Sequence, residues 1–208
     1  MKLRLILLSL LTLCLTVTPA IAQSDVYDNG PTNGTVDGFT INFGFTVSDR
    51  FVFNQATTIN GLEFAAWLTP GDVLETADVL ISSEEFGGTT FFEGTISFIP
   101  AGCEENQFGF NVCAELGTFA DVNLNAGAYW LTLQNAVVNT GDPVYWDQND
   151  GPSQASENSL GTIPSESFTV LGSTTNVTET TGTSPEPTSI ILFGSGILGL
   201  AGMVRRKL

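Results

Sequence analysis

Histidine is absent from the 208-residue chain, and lysine and arginine are confined almost entirely to its ends. Lys2 and Arg4 stand at one extreme, Arg205, Arg206 and Lys207 at the other, and Arg50 alone lies between them. Histidine is the usual general base near neutral pH and the commonest metal ligand. Its absence excludes Ser-His-Asp and Cys-His nucleophiles and any His-ligated zinc. The lack of interior lysine removes Schiff-base chemistry and lysine-dependent phosphate cradles. With 22 Asp and Glu against 6 Lys and Arg, the formal charge is −16. So acidic a surface repels polyphosphate, which excludes nucleic acid as a partner. Carboxylates, hydroxyls and aromatics are what remain for chemistry or recognition.

Cysteine is also scarce, with 3 in all. Cys14 falls inside an apolar run from Leu5 to Val17 that follows the basic Met1-Lys-Leu-Arg4. This run and the small residues Ala20 and Ala22 read as a secretory signal peptide over residues 1–22, cut before Gln23. Leu13 is not the small residue that a lipoprotein signal places before its Cys, so Cys14 leaves with the peptide. Cys103 and Cys113 then enter an oxidising compartment, where a disulfide across a hairpin-sized loop is expected. The pair lacks C-x-x-C spacing and a nearby cation, so the bond reads as structural.

The opposite end has three parts in immediate succession. Pro185-Glu186-Pro187 is followed by an uncharged apolar stretch from Thr188 to Val204, then by Arg205-Arg206-Lys207-Leu208. The apolar stretch has the minimum length of a membrane-spanning helix, and the basic cluster would stay cytoplasmic. The arrangement resembles the PEP-CTERM sorting signal of exported Gram-negative bacterial proteins. That resemblance implies export through the Sec machinery and insertion of 188–204 in the inner membrane. It also implies recognition by exosortase, with cleavage near the motif. It implies a route, used in bacteria that make extracellular polysaccharide, and no activity.

Residues 173–184 are rich in Ser and Thr and cannot bury a core, so they read as a linker. The folded domain is therefore expected over residues 23–172. Phe39, Ile41, Phe43, Phe45 and Val47 alternate with Thr40, Asn42, Gly44 and Thr46, the pattern of one half-buried strand. Further strands are expected at 50–54, 57–68, 77–82, 89–99, 107–113, 117–124, 128–135, 143–147 and 166–171. Turn signals such as Asn60-Gly61, Phe86-Gly-Gly88 and Asn125-Ala-Gly127 separate several of them. No segment sustains a helical period. The prediction is an all-β antiparallel sandwich or jelly roll. The segments Asp28-Asn-Gly-Pro31, Asn33-Gly34, Val144-Tyr-Trp-Asp147 and Ile163-Pro-Ser-Glu-Ser-Phe168 resemble a group of small β-rich PEP-CTERM proteins. This second resemblance implies a fold only.

Two candidate sites stand out in the domain. Asp147, Asn149, Asp150 and Glu157 are hard oxygen donors in what reads as a polar turn region, the ligand type Ca²⁺ prefers, although the spacing fails the EF-hand pattern. Asp25, Asp28 and Asn29 form a second polar group of the same kind. In the strands around Trp67 and Trp130, both indoles fall on the more polar parity. With Trp146 they form a candidate glycan-stacking set. A catalytic carboxylate pair for glycoside hydrolysis has no recognisable motif here. The sequence thus predicts no catalytic residue and no required cofactor beyond candidate Ca²⁺. It reads as an exported, non-catalytic surface or matrix protein, with polysaccharide binding as the alternative and hydrolysis as a remote one.

Overall fold

A computed structural model describes residues 23–34 and 36–174. The signal peptide, most of the linker, the apolar span and the basic tail lie outside the described residues. The described chain is all-β, with thirteen strands. They are β1 (Ser24–Asp28), β2 (Gly38–Thr40), β3 (Thr46–Phe53), β4 (Thr57–Leu68), β5 (Leu74–Glu84), β6 (Gly87–Glu105) and β7 (Asn111–Leu124). The rest are β8 (Gly127–Val138), β9 (Tyr145–Asn149), β10 (Ala155–Glu157), β11 (Gly161–Ile163), β12 (Ser165–Glu166) and β13 (Phe168–Thr174).

All pairings are antiparallel, and the main path runs β1-β13-β4-β7-β6-β5-β8-β3-β10-β11. Strand β6 joins the two halves of this curled sheet. Its first part, to Ser97, pairs with β5, and its last part, from Phe98, pairs with β7. The halves face each other and bury one apolar core between them, which removes aromatic surface from water on both inner faces. Phe51 of β3 meets Tyr27 of β1 at 5.7 Å between ring centroids and Phe168 of β13 at 6.2 Å. Phe64 of β4 packs edge-on against both Phe98 and Trp146.

Strand β4 spans the predicted residues, and Leu62, Phe64, Ala66 and Leu68 face the core as their parity requires. Upstream the core residue is Ile59, of the opposite parity, because the register shifts between Ile59 and Gly61. The extra residue of such a bulge turns the side chains over. Cys103 and Cys113 face each other across the β6–β7 ladder and are disulfide-bonded, as expected.

The single strand expected over residues 39–47 is not formed. Strand β2 ends at Thr40, and Phe43 and Gly44 take positive φ of 56° and 90° while the Phe45 N–H donates to the Asn42 carbonyl at 3.0 Å. Two consecutive positive φ values close a tight turn that reverses the chain, for which Gly44 is suited. Phe43 and Phe45 are consequently exposed rather than buried. The strands expected at 107–113 and 117–124 are also redrawn. Residues 106–110 form the hairpin turn, and β7 runs unbroken from Asn111 to Leu124.

Candidate functional site

A group of polar residues gathers in the interior of the domain. Asn29 follows β1, Asp49 lies in β3, Asp147 and Asn149 in β9, and Ser165 and Glu166 in β12, and all six are buried. Four oxygens lie between 2.7 and 3.0 Å from Asn29 Nδ2: Asp49 Oδ2, Ser153 Oγ, Ser165 Oγ and the Glu166 carbonyl. An amide nitrogen carries two hydrogens, so these acceptors share them. The Asn29 Oδ1 accepts from the Tyr27 hydroxyl, and the Asn29 carbonyl accepts from Asn149 Nδ2 at 2.8 Å. The Asp28–Asn29 segment thus meets the Asp147–Asp150 segment through Asn29.

The three acids at this centre are treated differently by the fold. Asp49 accepts the N–H groups of Arg50 and Glu166 at 2.6 and 2.8 Å in addition to Asn29. Asp147 accepts the N–H groups of Asn33 and Gly34, both at 3.0 Å, and the Trp67 indole N–H at 2.6 Å. Glu166 is 0 % exposed, and neither of its carboxylate oxygens has a hydrogen-bond partner. Burial raises the pKa of all three, since it penalises the charged form. Asp49 is pushed up to about 6 despite its donors. Asp147 is also raised by burial, against the opposing effect of its three N–H donors. Glu166 is held well above the ordinary glutamate value by burial, and then by the charges of Asp49, Asp147 and Asp37.

The predicted calcium donors are divided between the interior and the surface. Asp147, Asn149 and Glu157 are buried, and only Asp150 is exposed. Their segment forms β9 and β10 instead of an open polar loop, so its side chains satisfy the protein's own N–H groups. Asn149 Oδ1 accepts from the Gly151 N–H, and Glu157 Oε2 accepts from the N–H groups of Ser159 and Leu160 and the Ser159 hydroxyl. Among the described residues no group of three or more His, Cys, Asp or Glu side chains is placed to hold a metal ion.

The tryptophan expectation is corrected in its exposure. Trp146 is fully buried in the core, with its indole N–H on the Ser167 carbonyl at 2.8 Å. Trp67 has the outward parity expected, yet it is 6 % exposed. It packs with Ala65 and Val112 under Phe110 and Tyr145, and Phe108 stacks on it at 5.7 Å. The hairpin tip, through Phe108 and Phe110, covers Trp67 on the outer face of β4, and Tyr145 flanks it from the paired strand β9, a cover that strand parity does not reveal. Trp130 is half-buried on the outer face of β8, opposite Arg50 of β3.

Sequence reasoning missed Asn29, Asp49 and Glu166 as one centre. A signal existed, since Asp28–Pro31, Val144–Asp147 and Ile163–Phe168, noted above for their resemblance, are three of the segments that assemble it. With the domain described, residues 185–207 match the family model of the PEP-CTERM protein-sorting motif. The chain thus carries a PEP-CTERM sorting motif at its tail, which supports export and sorting by exosortase. The motif residues Pro185, Glu186 and Pro187 and the basic Arg205, Arg206 and Lys207 are the parts such a signal needs. No curated protein matches the chain.

Proposed function

We propose that the chain is a non-catalytic component of the cell surface or extracellular polysaccharide layer, delivered there by its tail. Removal of residues 1–22 would start the mature protein at Gln23. The span 188–204 would hold it in the inner membrane, and exosortase cleavage near Pro185–Pro187 would release it. The observation that carries this reading is the sorting motif at 185–207 on a domain whose reactive groups serve its own interior. The carboxylates of Asp49 and Asp147 and the indoles of Trp67 and Trp146 are spent on internal hydrogen bonds. Mass spectrometry of the protein from its host should show a chain that begins at Gln23 and lacks Arg205 to Leu208. An intact basic tail on the mature protein rejects the route.

Glycan binding is the second reading, and it moves from Trp67 to the ring that covers it. Phe108 is 54 % exposed and rests on Trp67, which presents a supported aromatic face at the hairpin tip. Such a face suits the C–H surface of a sugar. Co-sedimentation with the host's extracellular polysaccharide, with Ca²⁺ and with EDTA, separates the readings. Binding that Phe108→Ala abolishes supports glycan recognition, and no binding in either condition supports the structural role.

A further inference from the structure

We infer that Glu166 is held as a neutral carboxylic acid and acts as a proton lock on the end of the domain where β9, β12 and the 29–34 loop meet. The geometry distinguishes it from its neighbours. Asp49 and Asp147 each accept three hydrogen bonds from nitrogen donors, the solvation a buried carboxylate ion needs. Glu166 has none and is sealed from water. Arg50 is the sole Lys or Arg among the described residues, and it is exposed. No cationic side chain among the described residues therefore reaches Glu166. An ionised Glu166 would lie unsolvated beside two other buried anions, whereas a protonated one removes that charge.

The groups that face Glu166 are all acidic or neutral. Asp49 comes from β3, Asp147 from β9 and Asp37 from the segment before β2, and each of these charges raises its proton affinity. From β1, Tyr27 sends its hydroxyl to Asn29, and its pKa is pushed up to about 12 by burial and by Asp49, so it stays neutral. Strand β12 has two residues and pairs only with β9. The Glu166 N–H holds Asp49, its carbonyl holds Asn29, and Asp147 holds the loop through Asn33 and Gly34. Loss of the Glu166 proton puts repulsion at the point where these links cross, and relief comes by opening the loop to water.

Linkage fixes the sign. A carboxyl whose folded pKa is raised contributes stability that is complete below its ordinary range and is lost as pH rises through the folded value. Opening of the 29–34 loop should therefore grow about tenfold per pH unit from the ordinary glutamate range up to the raised pKa, then level off. Hydrogen exchange of the Asn33 and Gly34 amides in the full chain, corrected for intrinsic rates, reads this directly. Glu166→Gln should make the pH dependence markedly shallower, most of all above about pH 6 where Asp49 has ionised, while keeping the loop closed. An unchanged pH dependence in that variant overturns the proposal, as does closure of the loop at high pH by added Ca²⁺, which would make the partner a cation. Should the variant not fold, infrared spectra of the chain with ¹³C-carboxyl-labelled glutamate decide. Because buried Glu115 also holds its proton up to about pH 7, the spectra are taken in a Glu115→Gln background, where a carboxylic-acid C=O band persisting at neutral pH, after the exposed glutamates have ionised, supports the lock. Its absence rejects it.

Discussion

The Trp67 indole N–H donates to Asp147 Oδ1 at 2.6 Å and ties the outer face of β4 to the interior of β9. One aromatic residue thereby does two jobs. Its ring closes the small apolar cluster beneath Phe108 and Phe110, and its N–H supports a buried charge. Trp67→Phe keeps most of the packing and removes the donor, which leaves Asp147 with two N–H partners. We expect a loss of about 2 kcal/mol in urea unfolding, the usual cost of an unmet hydrogen bond to a buried charged group. No loss would mean that Asp147 is protonated or that water replaces the indole.

Gly151 sits where no side chain fits. A Cβ there would lie 2.0 Å from the Asn29 carbonyl oxygen and 2.5 Å from Ser165 Oγ. Both atoms belong to the polar centre and are fixed by its hydrogen bonds, so neither yields cheaply. Gly151→Ala should cost about 3 kcal/mol, at the upper end for overpacking. Gly44→Ala is the control. Gly44 has φ of 90° but no atom within 4 Å of a built Cβ, so only backbone strain of about 1 kcal/mol applies. Thermal unfolding of the two variants should rank them in that order.

Acid should stabilise this domain over much of the range where it destabilises most proteins. Glu115 of β7 is 1 % exposed, with Oε2 unpartnered, and burial pushes its pKa up to about 7. Its ordinary value is 4.5, so its stabilising proton is fully bound in the folded state below that pH and is lost as pH rises to about 7. Asp49 acts in the same direction up to about 6. The urea midpoint of the parent should therefore fall between about pH 4.5 and pH 7. The fall should be shallower in Glu115→Gln, and an equal slope in both would show that Glu115 does not carry the effect.

Much of the architecture was legible because it rests on local pattern. The residues of β4 were readable from period-two alternation between turn signals, and Cys103 and Cys113 from composition and compartment. The 39–47 segment misled for an instructive reason. Its alternation is perfect, yet the pair Phe43-Gly44 takes the positive φ that turns the chain, and hydrophobic period alone carries no information on φ. The polar centre was hidden for a different reason. Asn29, Asp49, Asp147 and Glu166 are scattered from the start of the domain to its end, and acids and amides in Gly- and Pro-containing segments read as solvated loops unless something shows them to be enclosed.

By itself the sequence determined the sorting motif and the class of fold. A sorting signal is read as a linear string, and strand alternation is a property of neighbouring residues, so both survive without any knowledge of which strands meet. Tertiary structure decided what the polar and aromatic residues do. Folding the sheet over at β6, pairing β9 beside β4 and closing the hairpin tip over Trp67 buried Trp67, Trp146 and the acids Asp49, Asp147 and Glu166. Once water is excluded, a carboxyl must find donors, as Asp49 and Asp147 do, or keep its proton, as inferred for Glu166.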